Sequence, residues 1–87
     1  MKEIEKWTEV TKGLYHFVIG ANICYEIHVI YWNKSTDILE SNCSLFLVGD
    51  WFSRENGNTL ERECLLEEKT MNECIDKAIK DNEENNV

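Results

Sequence analysis

A chain of 87 residues builds one hydrophobic core and not two, because at this length only about 60% of the unfolded surface is buried on folding. Its composition, 43% hydrophobic and 30% charged, is that of a globular domain, and 17 acidic against 9 basic side chains give a formal charge of −8. So acidic a surface repels phosphate backbones and anionic membranes, whose capture rests on Lys and Arg displacing counterions, so direct nucleic-acid and membrane binding are not expected.

No apolar run reaches the roughly 18 residues needed to span a bilayer. Residues Met1 to Lys6 alternate charge around Ile4 and form no signal-peptide core. The expectation is a cytoplasmic single domain over residues 1–87, with its core at about 7–80 and a frayed acidic tail at 81–87. Cys24, Cys43, Cys64 and Cys74 are accordingly expected to be reduced.

The first segment, Trp7 to Val10, reads as a strand ahead of the Thr11-Lys12-Gly13 turn, with a helical start over Ile4 to Val10 as the competing reading. Leu14 to Ile19 is a second β-rich run, and Gly20-Ala21-Asn22 is a turn of hairpin length. From Ile23 to Trp32 the chain alternates with period two. That pattern defines a strand whose odd residues face the core and whose even residues, Glu26 and His28 among them, face outward.

After a polar stretch, Cys43 to Val48 forms a further strand, extendable past Gly49 to Phe52, and Asn56-Gly57 carries the signature of a two-residue hairpin turn. With that turn at the centre, Leu47 faces Leu66, Gly49 faces Cys64 and Trp51 faces Arg62, the last a cation–π pair. Thr70-Met71-Asn72-Glu73 fits a capping box. Met71, Cys74, Ile75, Ala78 and Ile79 then recur at i, i+3, i+4, i+7 and i+8, giving a helix with one apolar stripe from Met71 to about Lys80. The fold class is therefore α+β: a four- to five-stranded antiparallel meander with one C-terminal helix packed on one face.

The chemistry-bearing residues offer little for catalysis. No two cysteines stand at the spacing at which one turn presents two thiolates to zinc, so no metal or other cofactor is expected. Cys24 and His28 project from the same strand face about 13 Å apart, too far to share a proton. Glu61 and Glu63 stand about 7 Å apart on one strand face, near the range for glycoside chemistry, but a single sheet with one helix offers no deep cleft. Phosphate-loop, dinucleotide and serine-hydrolase motifs are missing. Asn33-Lys34-Ser35 and Asn42-Cys43-Ser44 match the glycosylation pattern, which matters only on exported chains. The chain is read as a non-enzyme.

The face expected to lie opposite the helix is unusual. It would carry Leu14, His16, Val18, Ile30, Trp32, Phe46, Val48 and Phe52 among Glu26, His28, Glu61 and Glu63, whereas a free sheet face is ordinarily polar. Apolar anchors ringed by charge are how protein-binding patches are built. Trp32, Phe46, Phe52, Ile30, Trp51 and Arg62 are therefore the candidate protein-binding residues, for a foreign partner or for self-association. The competing expectation is an inhibitor whose carboxylates Glu61, Glu63, Glu67 and Glu68 mimic a nucleic-acid backbone. A small metal or enzymatic protein built on Cys24, His16 and His28 is a third, weaker reading.

The layout of Trp7, Val10, Gly13 and Tyr15, then apolar strands, then a short helix headed by Thr70, resembles small proteins of phages and mobile elements of low-GC Gram-positive bacteria. The many Asn, Ile, Lys and Glu with few Ala and Arg agree with an AT-rich genome. The resemblance rests on layout and composition, and it carries no functional residue across.

Overall fold

The computed structural model describes residues 4–20, 23–53 and 57–85, with backbone alone at 50–53, 57–61 and 85. Five strands, β1 (Thr8–Thr11), β2 (Leu14–Gly20), β3 (Ile23–Tyr31), β4 (Asn42–Ser53) and β5 (Gly57–Thr70), precede one helix, α1 (Met71–Asn85). The strands pair in chain order and every pair is antiparallel. This is the expected meander, with α1 laid across one face.

Both readings of the first segment hold in part. A single 3₁₀ turn at Ile4–Lys6 is closed by the Trp7 N–H donating to Ile4 O (3.0 Å), and the strand starts at Thr8. Between them Trp7 is buried, its ring 5.4 Å from that of Phe17. Gly13 completes the β1–β2 turn at φ +81°, a conformation that costs glycine least. Gly20, at the end of β2, has a different reason to be glycine: an added Cβ would stand 2.8 Å from Ile23 Cγ2.

The core lies between α1 and the odd-numbered side of β2, β3 and β4. Tyr25, Ile27, Cys43 and Leu45 from the sheet meet Met71, Cys74, Ile75 and Ala78 from the helix, all buried. Cys43 and Cys74 act here as small hydrophobes. Burial raises both thiols, that of Cys74 to about 12, so neither forms a thiolate at neutral pH.

The helix begins without a loop. Thr70 is both the last residue of β5 and the N-cap, with its hydroxyl accepting from the Glu73 N–H (3.1 Å) and the Glu73 carboxylate accepting from the Thr70 N–H (3.3 Å). The helix also runs beyond Lys80 to Asn85, where the sequence suggested a frayed tail. The Tyr25 hydroxyl, rooted in the core, donates to Asp81 Oδ2 at 2.6 Å and ties down that added turn. Residues 86 and 87 lie outside the described part.

The expected β4–β5 register is not the observed one. Ser53 pairs with Gly57, so Gly57 opens β5 instead of sitting inside a two-residue turn, and the ladder from Ser53 to Phe46 slides by three residues. Trp51 pairs with Thr59, Gly49 with Glu61, Leu47 with Glu63 and Val48 with Arg62. An odd slip exchanges the faces of β5, which moves Cys64 from the expected core side to an exposed position opposite Phe46. Two register shifts on β5 then intervene, and the second lies by Glu68, whose φ is +54°. Through them Leu65 and Leu66, adjacent in sequence, both pack against the core cluster.

The capping box predicts its own cost. Thr70→Ala is expected to lower unfolding stability by about 1 kcal/mol in urea denaturation with an unchanged m-value, and Thr70→Ser to restore most of it.

Candidate functional site on the open sheet face

The even-numbered side of the sheet is not covered by α1. Its residues fall into three cross-strand rows set by the register. The central row is His16, Glu26, Phe46 and Cys64. On one side lie Val18, Cys24, Val48 and Arg62. On the other, Leu14, His28 and Ser44 end at Glu68, whose backbone N–H donates to Ser44 Oγ (3.3 Å).

Glu26 is the hub of this face and is only 5% exposed. His16 Nε2 lies 2.7 Å from Oε2, while His28 Nε2 and an Arg62 amino nitrogen lie 2.6 and 3.1 Å from Oε1. His16 reaches it across the β2–β3 ladder and His28 from two positions along the same strand. Arg62 reaches across β4 from β5. Burial opposes ionisation of this carboxyl, but the hydrogen bonds from His28 and His16 and the charge of Arg62 outweigh burial and hold it below the usual carboxylate range.

Phe46 stands between two of these side chains: the His28 ring is 4.9 Å from its centroid and the Arg62 guanidinium carbon 5.7 Å. Arg62 thus lies over Phe46, whereas Trp51, the partner expected from the sequence, is paired with Thr59 in the ladder. The Cys24 thiol is raised, first by burial and then by the Glu26 charge, with Arg62 acting in the opposite sense. Among the described residues, no group of three or more His, Cys, Asp or Glu is arranged to hold a metal ion. At the hub both imidazoles spend Nε2 on the carboxylate itself.

Of the other residues singled out in the sequence, Ile30 and Trp32 do not join Phe46. A register shift between Val29 and Tyr31 ends the alternation, leaving Ile30 and Tyr31 exposed. Trp32 follows the strand, its indole N–H donating to Thr36 O (3.1 Å). Ile30 and Trp32 line a shallow pocket of about 250 Å³ with Tyr15, Val29 and Ile38. Phe52 pairs with Asn58 along the far end of the hairpin, and its side chain, with those of Trp51 and Glu61, is outside the described part. Glu63 belongs to the helix side, lining a groove with Leu65 and Asp81. Glu67 and Glu68 are exposed where β5 bulges.

Comparison with protein-family models, with curated proteins and with solved structures finds no match to this chain. Among the described residues no helix is long and apolar enough to cross a membrane.

The hub carries a pH signature. A carboxyl depressed by folding contributes stability that is present above its unfolded value, near 4.3, and lost as pH falls through its folded value. Glu26→Gln is therefore expected to cost about 2 kcal/mol at pH 7, less than for a fully enclosed pair because Arg62 and His28 are 44% and 38% exposed. Urea titrations from pH 7 to pH 2 are expected to bring the stabilities of wild type and variant together at the acid end.

Proposed function

We propose that this chain is a non-catalytic protein-binding module of phage or mobile-element type, acting through the sheet face opposite α1. The observation that carries this reading is the construction of that face: an aromatic side chain, Phe46, at the centre, with His28 and Arg62 against its ring, and Val18, 66% exposed, two strands away on the same face. Recognition surfaces share this plan of a rigid anchor inside a polar surround. The ion cluster holds Phe46 in one orientation before any partner arrives, which lowers the ordering cost of docking.

The nucleic-acid-mimic reading has less support. A mimic needs carboxylates in an even row, and here Glu63 falls on the helix side while two register shifts separate it from Glu67 and Glu68. A catalytic reading is weaker still, since the imidazoles of the hub are committed to Glu26.

Affinity capture from host lysate with wild type, Val18→Asp and Asp76→Lys tests the proposal. Val18 is exposed on the open face and Asp76 is exposed on the outer side of α1. A partner retained by wild type and by the Asp76 variant, and lost with Val18→Asp while the circular dichroism spectrum is unchanged, is the expected result. Equal retention by all three would refute it.

A further inference from the structure

We propose that the open face docks a second copy of this chain, the two sheets stacked about a two-fold axis that runs across the strands along the row of His16, Glu26, Phe46 and Cys64. The proposal rests on the open face being a docking surface and names its occupant.

Charge distribution singles out this occupant. Two copies of a chain at −8 repel each other over most of their surfaces. On the described part of the open face the charged groups are few: Glu26, already bound by three donors, Arg62 on one side and, at the other end, the exposed bulge residues Glu67 and Glu68 opposite Ser44. It is thus a face on which two copies meet with little repulsion. Its pattern is also self-complementary. The register puts Arg62 beside Val48, and the bulge that holds Glu67 and Glu68 lies beside Ser44, to whose hydroxyl the Glu68 backbone N–H donates; Val48 and Ser44 are four residues apart on β4, or about 13 Å, with Phe46 midway.

A two-fold axis between the faces, perpendicular to the strands at the level of Phe46, reverses position along the strand. Each copy's Arg62 row then lies over its partner's Glu68 row, twice in the dimer. Val18 is brought over Leu14, and each Phe46 over the other. Such reciprocity is what an isologous contact requires. Aligned stacking of twisted sheets about 10 Å apart is an established packing mode. A face of five strands at about 4.8 Å spacing is only some 20 Å wide, so the association belongs to the small-interface class, with a micromolar dissociation constant.

Cys64 gives the geometry a direct readout. It is exposed, sits on the central row and therefore lies near its own symmetry mate across the stack, whereas Cys43 and Cys74 are buried. The test combines sedimentation equilibrium of the full chain from 1 to 500 µM, an interval set about the micromolar range, with cross-linking by a short bismaleimide. The expected results are a concentration-dependent dimer and a covalent dimer that Cys64→Ser abolishes and Cys24→Ser does not.

Two charge reversals then separate specific pairing from net charge. Glu68→Lys is expected to weaken the dimer about tenfold, because it sets Lys against Arg62 in both symmetric contacts. Glu63→Lys removes the same acidic charge on the helix side and is expected to leave the dimer as strong or stronger. A monomer at every concentration with no Cys64 cross-link would overturn the proposal, as would a dimer that Glu68→Lys strengthens as much as Glu63→Lys does. If the chain is monomeric while Val18→Asp still abolishes capture of a foreign partner, the docking face stands and only self-association fails. If neither occurs, the docking face itself is lost.

Discussion

One helix of fifteen residues cannot cover both sides of a five-stranded sheet, and this limit shapes everything else in the molecule. The odd-numbered side chains of β2, β3 and β4 meet the stripe of α1 and form a dry core around Tyr25, Leu45, Met71 and Ile75. Among the described residues no second element covers the even-numbered side, and the order seen there comes from its own side chains. Glu26 supplies it. A carboxylate that two imidazoles and a guanidinium reach from three strands does for this face what apolar packing does for the other, joining β2, β3 and β5 through directed bonds.

The two faces differ in the physics that holds them. Burial of apolar surface is non-directional and tolerates conservative exchange. A hub of charge-assisted hydrogen bonds is directional and fixes its neighbours closely. Phe46 lies between two of the hub's side chains, its ring tilted 60° to that of His28 and the Arg62 guanidinium carbon 5.7 Å from its centroid. A preformed aromatic anchor on an uncovered face is the reason to read the surface as a place of contact.

The sequence made one half of this legible. Period-two alternation, read from Ile23 to Trp32, identified β3 and, as far as Val29, its inward side, and the Thr70–Glu73 box with the Met71, Cys74, Ile75 and Ala78 stripe placed α1 and its buried face. Local chemistry decides such features, so local patterns reveal them. Register is decided elsewhere. Asn56-Gly57 named a turn centre that the pairing of Ser53 with Gly57 excludes, and the two shifts on β5 answer to the packing of Leu65 and Leu66 against the helix. Arg62 is therefore paired with Val48 and lies over Phe46, while Trp51 is paired with Thr59. The hub was half visible: Glu26 and His28 shared an outward face by parity, and centring the first hairpin on Ala21 sets His16 opposite Glu26. Burial of that carboxylate on a face without a covering element had no signal in the pattern of apolar residues. Trp32 was misplaced beside Phe46 because alternation breaks at Ile30, where no glycine or proline marks the break.

The junction at Thr70 has a mechanical meaning. With no residue between the last ladder pair, Asn42 with Thr70, and the first turn of α1, the chain has no slack there. The Met71 N–H, which donates to Ser41 O, pins the joint to the segment entering β4 as well. Helix and strand consequently behave as one lever. A one-residue deletion in the lower half of β5 would rotate the helical stripe by about 100° away from its seat, so the sheet cannot re-register without losing its roof.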